Sequence, residues 1–149
     1  MLGDGLKKMT SKLFADRKII IYSDGGSRGN PGEAAIGAVV GSREYSERIG
    51  VATNNVAEYR AVIFALKKVK QLVGKKKAED VEIEVKMDSE LIVKQLNGEY
   101  KIKEPDLQPL FVEVWNLRLD FKKVKFEHIP REQNRRADGL VNRALDDRE

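Results

Sequence analysis

Asp24, Glu58, Asp88 and Asp138 stand at points where a carboxylate is awkward, at the end of an apolar run or on the edge of an apolar helix face. Each has an ordinary explanation alone. Asp24 precedes a glycine pair and suits a turn. Glu58 falls at the start of a helix and suits its dipole. Asp88-Ser89 suits a helix N-cap, and Asp138 has Arg131 and Arg135 within reach on a helix surface. Gathered in one place, the four allow another chemistry. Clustered carboxylates repel, and their pKa values rise unless a cation neutralises them. Oxygen-only ligands favour hard cations, so Mg²⁺ or Mn²⁺ fits this set better than Zn²⁺. Two such ions, about 3.5–4 Å apart, can activate a water and stabilise a leaving oxygen, which is phosphodiester hydrolysis without a protein nucleophile.

The surrounding pattern supplies elements that can bring the acids together. Lys18 to Asp24 is an apolar run suited to a strand buried on both faces. Gly25 to Gly32 (GGSRGNPG) reads as a loop. Ala34 to Val40 and Tyr45 to Ala52 read as strands joined near Gly41-Ser42, and Thr53 or Asn54 can cap a helix from about Asn55 to Val73. Its apolar stripe is Tyr59, Val62, Ile63, Leu66, Val69 and Val73. Val81 to Asp88 alternates as a strand does. Ser89 to Leu96 and Leu107 to Leu119 are expected helices, Lys123 to Ile129 a strand, and Arg131 to Leu145 a closing helix. The order β-β-β-α-β-α-α-β-α predicts an α/β fold, a mixed sheet with helices on both faces. If the first and fourth strands are neighbours, Asp24 and Asp88 share the sheet end where ligands of such folds gather.

Composition excludes more than it selects. The chain has 149 residues, enough for one domain, with no cysteine and therefore no disulfide or thiolate site. No run approaches a membrane span or a secretory signal. A cytoplasmic, monomeric protein without a membrane or an evident protein partner is expected. Net charge is +4, a weak pull towards a polyanion. Lys67 to Lys77 reads as a solvated helix end and loop. Residues 1–17 are expected to be a flexible extension, in which Leu6, Met9, Leu13 and Phe14 could make a short amphipathic turn, and residues 18–149 the domain proper.

With these residues in view, the sequence resembles the type 1 ribonuclease H family. The motifs are Tyr22-Ser23-Asp24-Gly25-Gly26-Ser27-Arg28-Gly29-Asn30-Pro31-Gly32, Thr53-Asn54-Asn55-Val56-Ala57-Glu58-Tyr59, Met87-Asp88-Ser89 and Asn134-Arg135-Arg136-Ala137-Asp138. Together, in this order and on the expected element ends, they are highly specific and cover nearly the whole chain. The resemblance implies a ribonuclease H-like fold with a five-stranded mixed sheet. It implies endonucleolytic hydrolysis of the RNA strand of RNA/DNA hybrids with two Mg²⁺ ions, Mn²⁺ substituting. It assigns metal binding to Asp24, Glu58, Asp88 and Asp138, with Asp24 bridging both ions. Gly25, Gly26, Ser27, Asn30, Thr53, Asn54 and Asn55 match substrate-contacting positions, which suits a shallow minor groove displaying 2′-hydroxyls.

Two features depart from many members. Asn97 to Pro109 (NGEYKIKEPDLQP) is short and barely basic where others carry a basic protrusion, leaving Lys101, Lys103 and scattered cations to grip the hybrid. His128, the one histidine, aligns with a mobile catalytic histidine only if gaps are avoided; aligning the strand makes it a strand residue, the reading preferred here. Glu132, in the shortened loop, could approach the metals. The same acids could serve another duplex substrate. A binding module without chemistry is the third reading, and the intact acids speak against it.

Overall fold

The computed structural model describes residues 18–147. The expected N-terminal extension and its amphipathic turn lie outside these residues. Eleven elements follow in order: strands β1 (Lys18–Gly29), β2 (Gly32–Val40) and β3 (Arg43–Ala52); helix α1 (Asn54–Val73); a short helix α2 (Lys75–Ala78); β4 (Glu82–Met87); α3 (Glu90–Leu96); α4 (Gln108–Arg118); β5 (Lys123–His128); a 3-10 turn (Arg131–Gln133); and α5 (Arg135–Asp146). The five strands form one mixed sheet in the order β3-β2-β1-β4-β5. β1–β2 and β2–β3 are antiparallel hairpins, whereas β1–β4 and β4–β5 run parallel, as their helical crossovers require.

Strand alternation divides the core between two layers. Ile19 and Ile21 of β1, Ala38 and Val40 of β2, and Ile83, Val85 and Met87 of β4 face the layer of α1, α3 and α4. The stripe predicted for α1 is the one that packs there: Tyr59, Val62, Ile63, Leu66, Val69 and Val73 are all buried. The opposite face is partly covered. Ala35 meets Val141, Ala144 and Leu145 of α5. At Gly37 an added Cβ would lie 2.4 Å from the Ala137 carbonyl oxygen, so the missing side chain lets α5 approach. Beyond α5, Lys18 and Glu84 pair across this face at 3.1 Å.

Several expected boundaries shift. The predicted loop Gly25–Gly32 is mostly strand: β1 continues to Gly29, paired with β2 from Ser27↔Ala34 to Gly29↔Gly32, and only Asn30-Pro31, with a cis peptide, makes the turn. Gly25 and Gly32 serve close packing, an added Cβ meeting backbone at 2.2 and 2.0 Å, whereas Gly29 supplies a positive φ of 91° before the turn. The first half of β1 is buried on one face alone, leaving Ile20 37% exposed. Ser89, not Asp88, caps α3, its hydroxyl accepting from the Ile92 N–H. Part of the lysine-rich stretch forms α2, and the 3-10 turn delays α5 to Arg135.

Candidate active site

The parallel pairing of β1 with β4 ends at Tyr22↔Lys86; just beyond it Asp24, still within β1 and opposite Gly37 of β2, and Asp88, the residue after β4, stand at one sheet end. Glu58 arrives from α1. It sits in the second turn of that helix, one turn beyond the position expected for a dipole partner. The helix start is fixed locally: Thr53 Oγ1 accepts from the Val56 N–H at 3.2 Å. Gly25 then sets how close α1 comes. A Cβ at Gly25 would lie 2.2 Å from the Ala57 carbonyl carbon and 2.6 Å from the Glu58 nitrogen, so only glycine lets the helix backbone rest on β1 beside Asp24.

Asp24, Glu58 and Asp88 each offer a carboxylate oxygen, and these oxygens all lie within 4.8 Å of one another. Asp138 stands outside that set but lines the same cleft, and its carboxyl helps raise that of Asp24. All four predicted acids therefore converge. Asp138 has neither Arg131 nor Arg135 as an ion-pair partner among the described residues; Asn142 Nδ2 donates to its Oδ2 at 3.4 Å.

The electrostatics follow from the crowding. Burial, then the charges of Asp88 and Asp138, push the Asp24 carboxyl up to about 8. Burial, followed by Asp24 and Asp88, raises Glu58 well above the usual carboxylate range, and the Gly25 backbone offsets part of both shifts. Among the described residues Glu58 Oε2 is buried with no hydrogen-bond partner. An orphaned carboxylate oxygen inside a cluster of acids is what a divalent cation would satisfy, so the donor set fits a hard metal.

Gly25, Gly26, Ser27 and Asn54 line the cleft with the acids, whereas Asn30, Thr53 and Asn55 are not among its lining residues. They are tied to one another. Asn54 Oδ1 accepts from the Ser27 N–H at 2.8 Å, and Asn30 Oδ1 accepts from the Asn54 N–H at 2.9 Å. Asn55 Nδ2 reaches Glu104 Oε1 at 3.4 Å. The amide oxygens of Asn30 and Asn54 thus brace the β1–β2 turn against α1.

His128 ends β5, opposite Met87, as the strand alignment expected, and it is exposed and off the cleft. Burial cannot make it a stability residue. Glu132 borders a neighbouring groove with Arg131, Arg135 and Asp138, on the flank of the acids. Two arginines not singled out as substrate contacts line the cleft itself, Arg28 and Arg131. Arg28 pairs with Asp146 of α5 at 2.6 Å. For Arg28 the available signal was its place inside the first motif; Arg131 lies outside the quoted motifs and nothing in its spacing marked it. Among the described residues no helix is long and apolar enough to cross a membrane.

The family model described as reverse transcriptase-like matches residues 23–144. Ribonuclease HI of Halobacterium salinarum is 41% identical over 147 residues, covering 93% of this chain and 71% of that protein. A bifunctional protein of Mycobacterium tuberculosis is 43% identical over 136 residues, and the chain matches 87% of its own length but only 36% of that relative. The solved structure of LC11-RNase H1 in complex with an RNA/DNA hybrid superposes with a TM-score of 0.81 at 50% identity, covering 86% of this chain and 96% of that one. Sequence, sheet order and the likeness to these proteins agree: the chain belongs to the type 1 ribonuclease H family.

Proposed function

We propose that this chain is an endonuclease that hydrolyses the RNA strand of RNA/DNA hybrids, with Asp24, Glu58, Asp88 and Asp138 holding two Mg²⁺ or Mn²⁺ ions. The observation that carries the reading is the three-carboxylate cluster with its orphaned Glu58 Oε2. The hybrid as substrate is supported by the complex formed by the 50% identical LC11-RNase H1. All four acids come from one chain, so a monomer suffices.

When bound, the two ions would supply an activated water and a Lewis acid at the leaving oxygen. The chain's own residues do the rest. Asp24, between Asp88, Glu58 and Asp138, is the natural shared ligand. Glu58 and Asp88 flank it within the cluster, while Asp138 reaches it from the α5 side. The backbone of Gly25 to Ser27 forms the cleft wall, bare of large side chains, where a sugar-phosphate strand can approach. Asn30, Thr53, Asn54 and Asn55 extend that wall to the minor groove, where amides can donate to and accept from 2′-hydroxyls. Arg28 and Arg131 are cations suited to the phosphates on either side of the cut.

The test is cleavage of end-labelled RNA/DNA hybrid, double-stranded RNA, single-stranded RNA and duplex DNA with Mg²⁺, Mn²⁺ or chelator, beside Asp24→Asn. Metal-dependent cutting of the hybrid's RNA strand, lost in the variant, is the expected result. Cutting of a different duplex would replace the substrate and keep the mechanism. Cutting that persists in chelator would overturn the metal reading.

A further inference from the structure

Asn134 immediately precedes α5 and is buried to 1% exposure. Its Nδ2 donates to the Ser23 carbonyl oxygen at 3.0 Å and to Asp88 Oδ1 at 3.1 Å. Both neighbours are acceptors, so only the nitrogen can face them and the amide's orientation is settled by its surroundings. Ser23 is the residue before Asp24. The Asn134 carbonyl oxygen in turn accepts the Asp138 N–H at 3.1 Å. One residue therefore touches the strand that presents Asp24, the carboxylate of Asp88 and the backbone of Asp138. Helix capping is the ordinary alternative for an asparagine here, yet its side chain makes no capping hydrogen bond to α5. It turns away from the helix, towards the acids.

We infer that Asn134 is a positioning residue for the acid cluster, clamping the Asp88 carboxylate against β1 so that Asp24 and Asp88 stay at a spacing one cation can bridge. The inference rests on the metal reading above. A neutral donor suits this task. It orients a carboxylate without neutralising it, whereas a lysine or arginine in the same place would compete with the cation for Asp88. Both amide hydrogens are used, one on the strand and one on the acid, so releasing the half-buried Asp88 carboxylate costs it this donor.

The experiment is a calorimetric titration of Mn²⁺ alone into the wild-type chain and Asn134→Ala, without nucleic acid. It is paired with thermal melting and with hybrid cleavage across a series of Mn²⁺ concentrations. Hydrogen bonds that orient ligating groups typically change metal affinity 10- to 100-fold when removed. We expect Mn²⁺ binding weakened by roughly 10-fold or more. The half-saturating Mn²⁺ concentration for cleavage should rise by the same factor, with most of the rate restored at high Mn²⁺. Unchanged Mn²⁺ affinity, even with a lowered melting temperature, would make Asn134 a merely structural residue and overturn the proposal. Should Asn134→Ala fail to fold by circular dichroism, Asn134→Leu, close to asparagine in shape and without a donor, carries the same comparison. A wild-type chain that binds no Mn²⁺ would instead remove the metal reading itself, a separate and recognisable failure.

Discussion

Asp24→Asn should make the metal-free protein more stable, by an amount that depends on pH in a defined way. The Asp24 carboxyl is 8% exposed, and burial followed by Asp88 and Asp138 raises it from 3.8 to about 8 in the folded chain. Four units correspond to about 5–6 kcal/mol at 1.36 kcal/mol each. Water entry and relaxation in an open cleft reduce such figures, so about 2–4 kcal/mol is the expected gain on removing the charge. At about 2–4 °C per kcal/mol for a chain of this size, that is roughly 4–16 °C in melting temperature. The sign follows from linkage. Below the unfolded value the carboxyl is protonated in both states and the substitution changes little. Between that value and about 8 the unfolded chain ionises first, and the wild type loses stability with every unit of pH. The variant's advantage therefore opens across that window and levels off above it. Thermal melting followed by circular dichroism in chelator, from about pH 4 to about pH 9, measures it directly. A variant no more stable than wild type at the alkaline end, or an advantage equally large at the acid end, would refute the electrostatic argument.

Cation binding should displace protons from the same group. Mn²⁺ affinity is expected to climb by about tenfold per pH unit below the Asp24 value and to flatten above it; calorimetry in buffers of different ionisation enthalpy at neutral pH should detect at least one proton released, and none would contradict the raised pKa. Gly25→Ala should destabilise the fold by about 3 kcal/mol or more, because the new Cβ meets helix backbone at 2.2 Å and cannot be relieved by a side-chain rotation; denaturant unfolding would show it, and a midpoint equal to wild type would remove Gly25 from its packing role. His128→Ala, at an exposed strand end, should change stability by less than about 0.5 kcal/mol and leave turnover near wild type; a large loss of kcat with an unchanged melt would restore the catalytic reading of this histidine.

Periodicity carried most of the fold in advance. The α1 stripe from Tyr59 to Val73, the alternation of Val81 to Met87 and the inward face of α5 at Ala137, Leu140, Val141, Ala144 and Leu145 all occupy the core as their spacing requires. The four acids were legible because a carboxylate at the end of an apolar strand or beside a buried stripe has few inexpensive explanations. The glycine-rich stretch was not. Local propensity makes Gly25 to Gly32 a loop, but the backbone of Ala57 and the partner strand β2 are tertiary neighbours that no local pattern contains. The same holds for Arg28 and Arg131, whose place on the cleft depends on how β1 and the 3-10 turn are brought together. Asn134 lay within a quoted motif, yet its contact with Asp88 joins residues 46 apart in sequence and becomes visible only in space.

These missed contacts share a logic. The site needs acids closer together than a stable metal-free fold prefers, so the architecture must supply restraint that does not neutralise them. Cationic partners would quench the charge that a divalent ion has to find. Here the restraint comes from uncharged groups: a glycine that lets α1 rest on β1, an asparagine whose amide holds Asp88 to the neighbouring strand, and the Asn30–Asn54–Ser27 braces that tie the β1–β2 turn to the start of α1. The hydrophobic layer of Ile21, Val85, Tyr59 and Leu66 directly beneath provides the rigid base that such spacing requires. Stability withheld by the crowded acids is then recoverable on cation binding, because any ligand that binds the folded chain alone shifts folding in its favour. Metal affinity and fold stability are in this view two readings of one repulsion, and a substitution that relieves the repulsion without a metal must weaken the site for one.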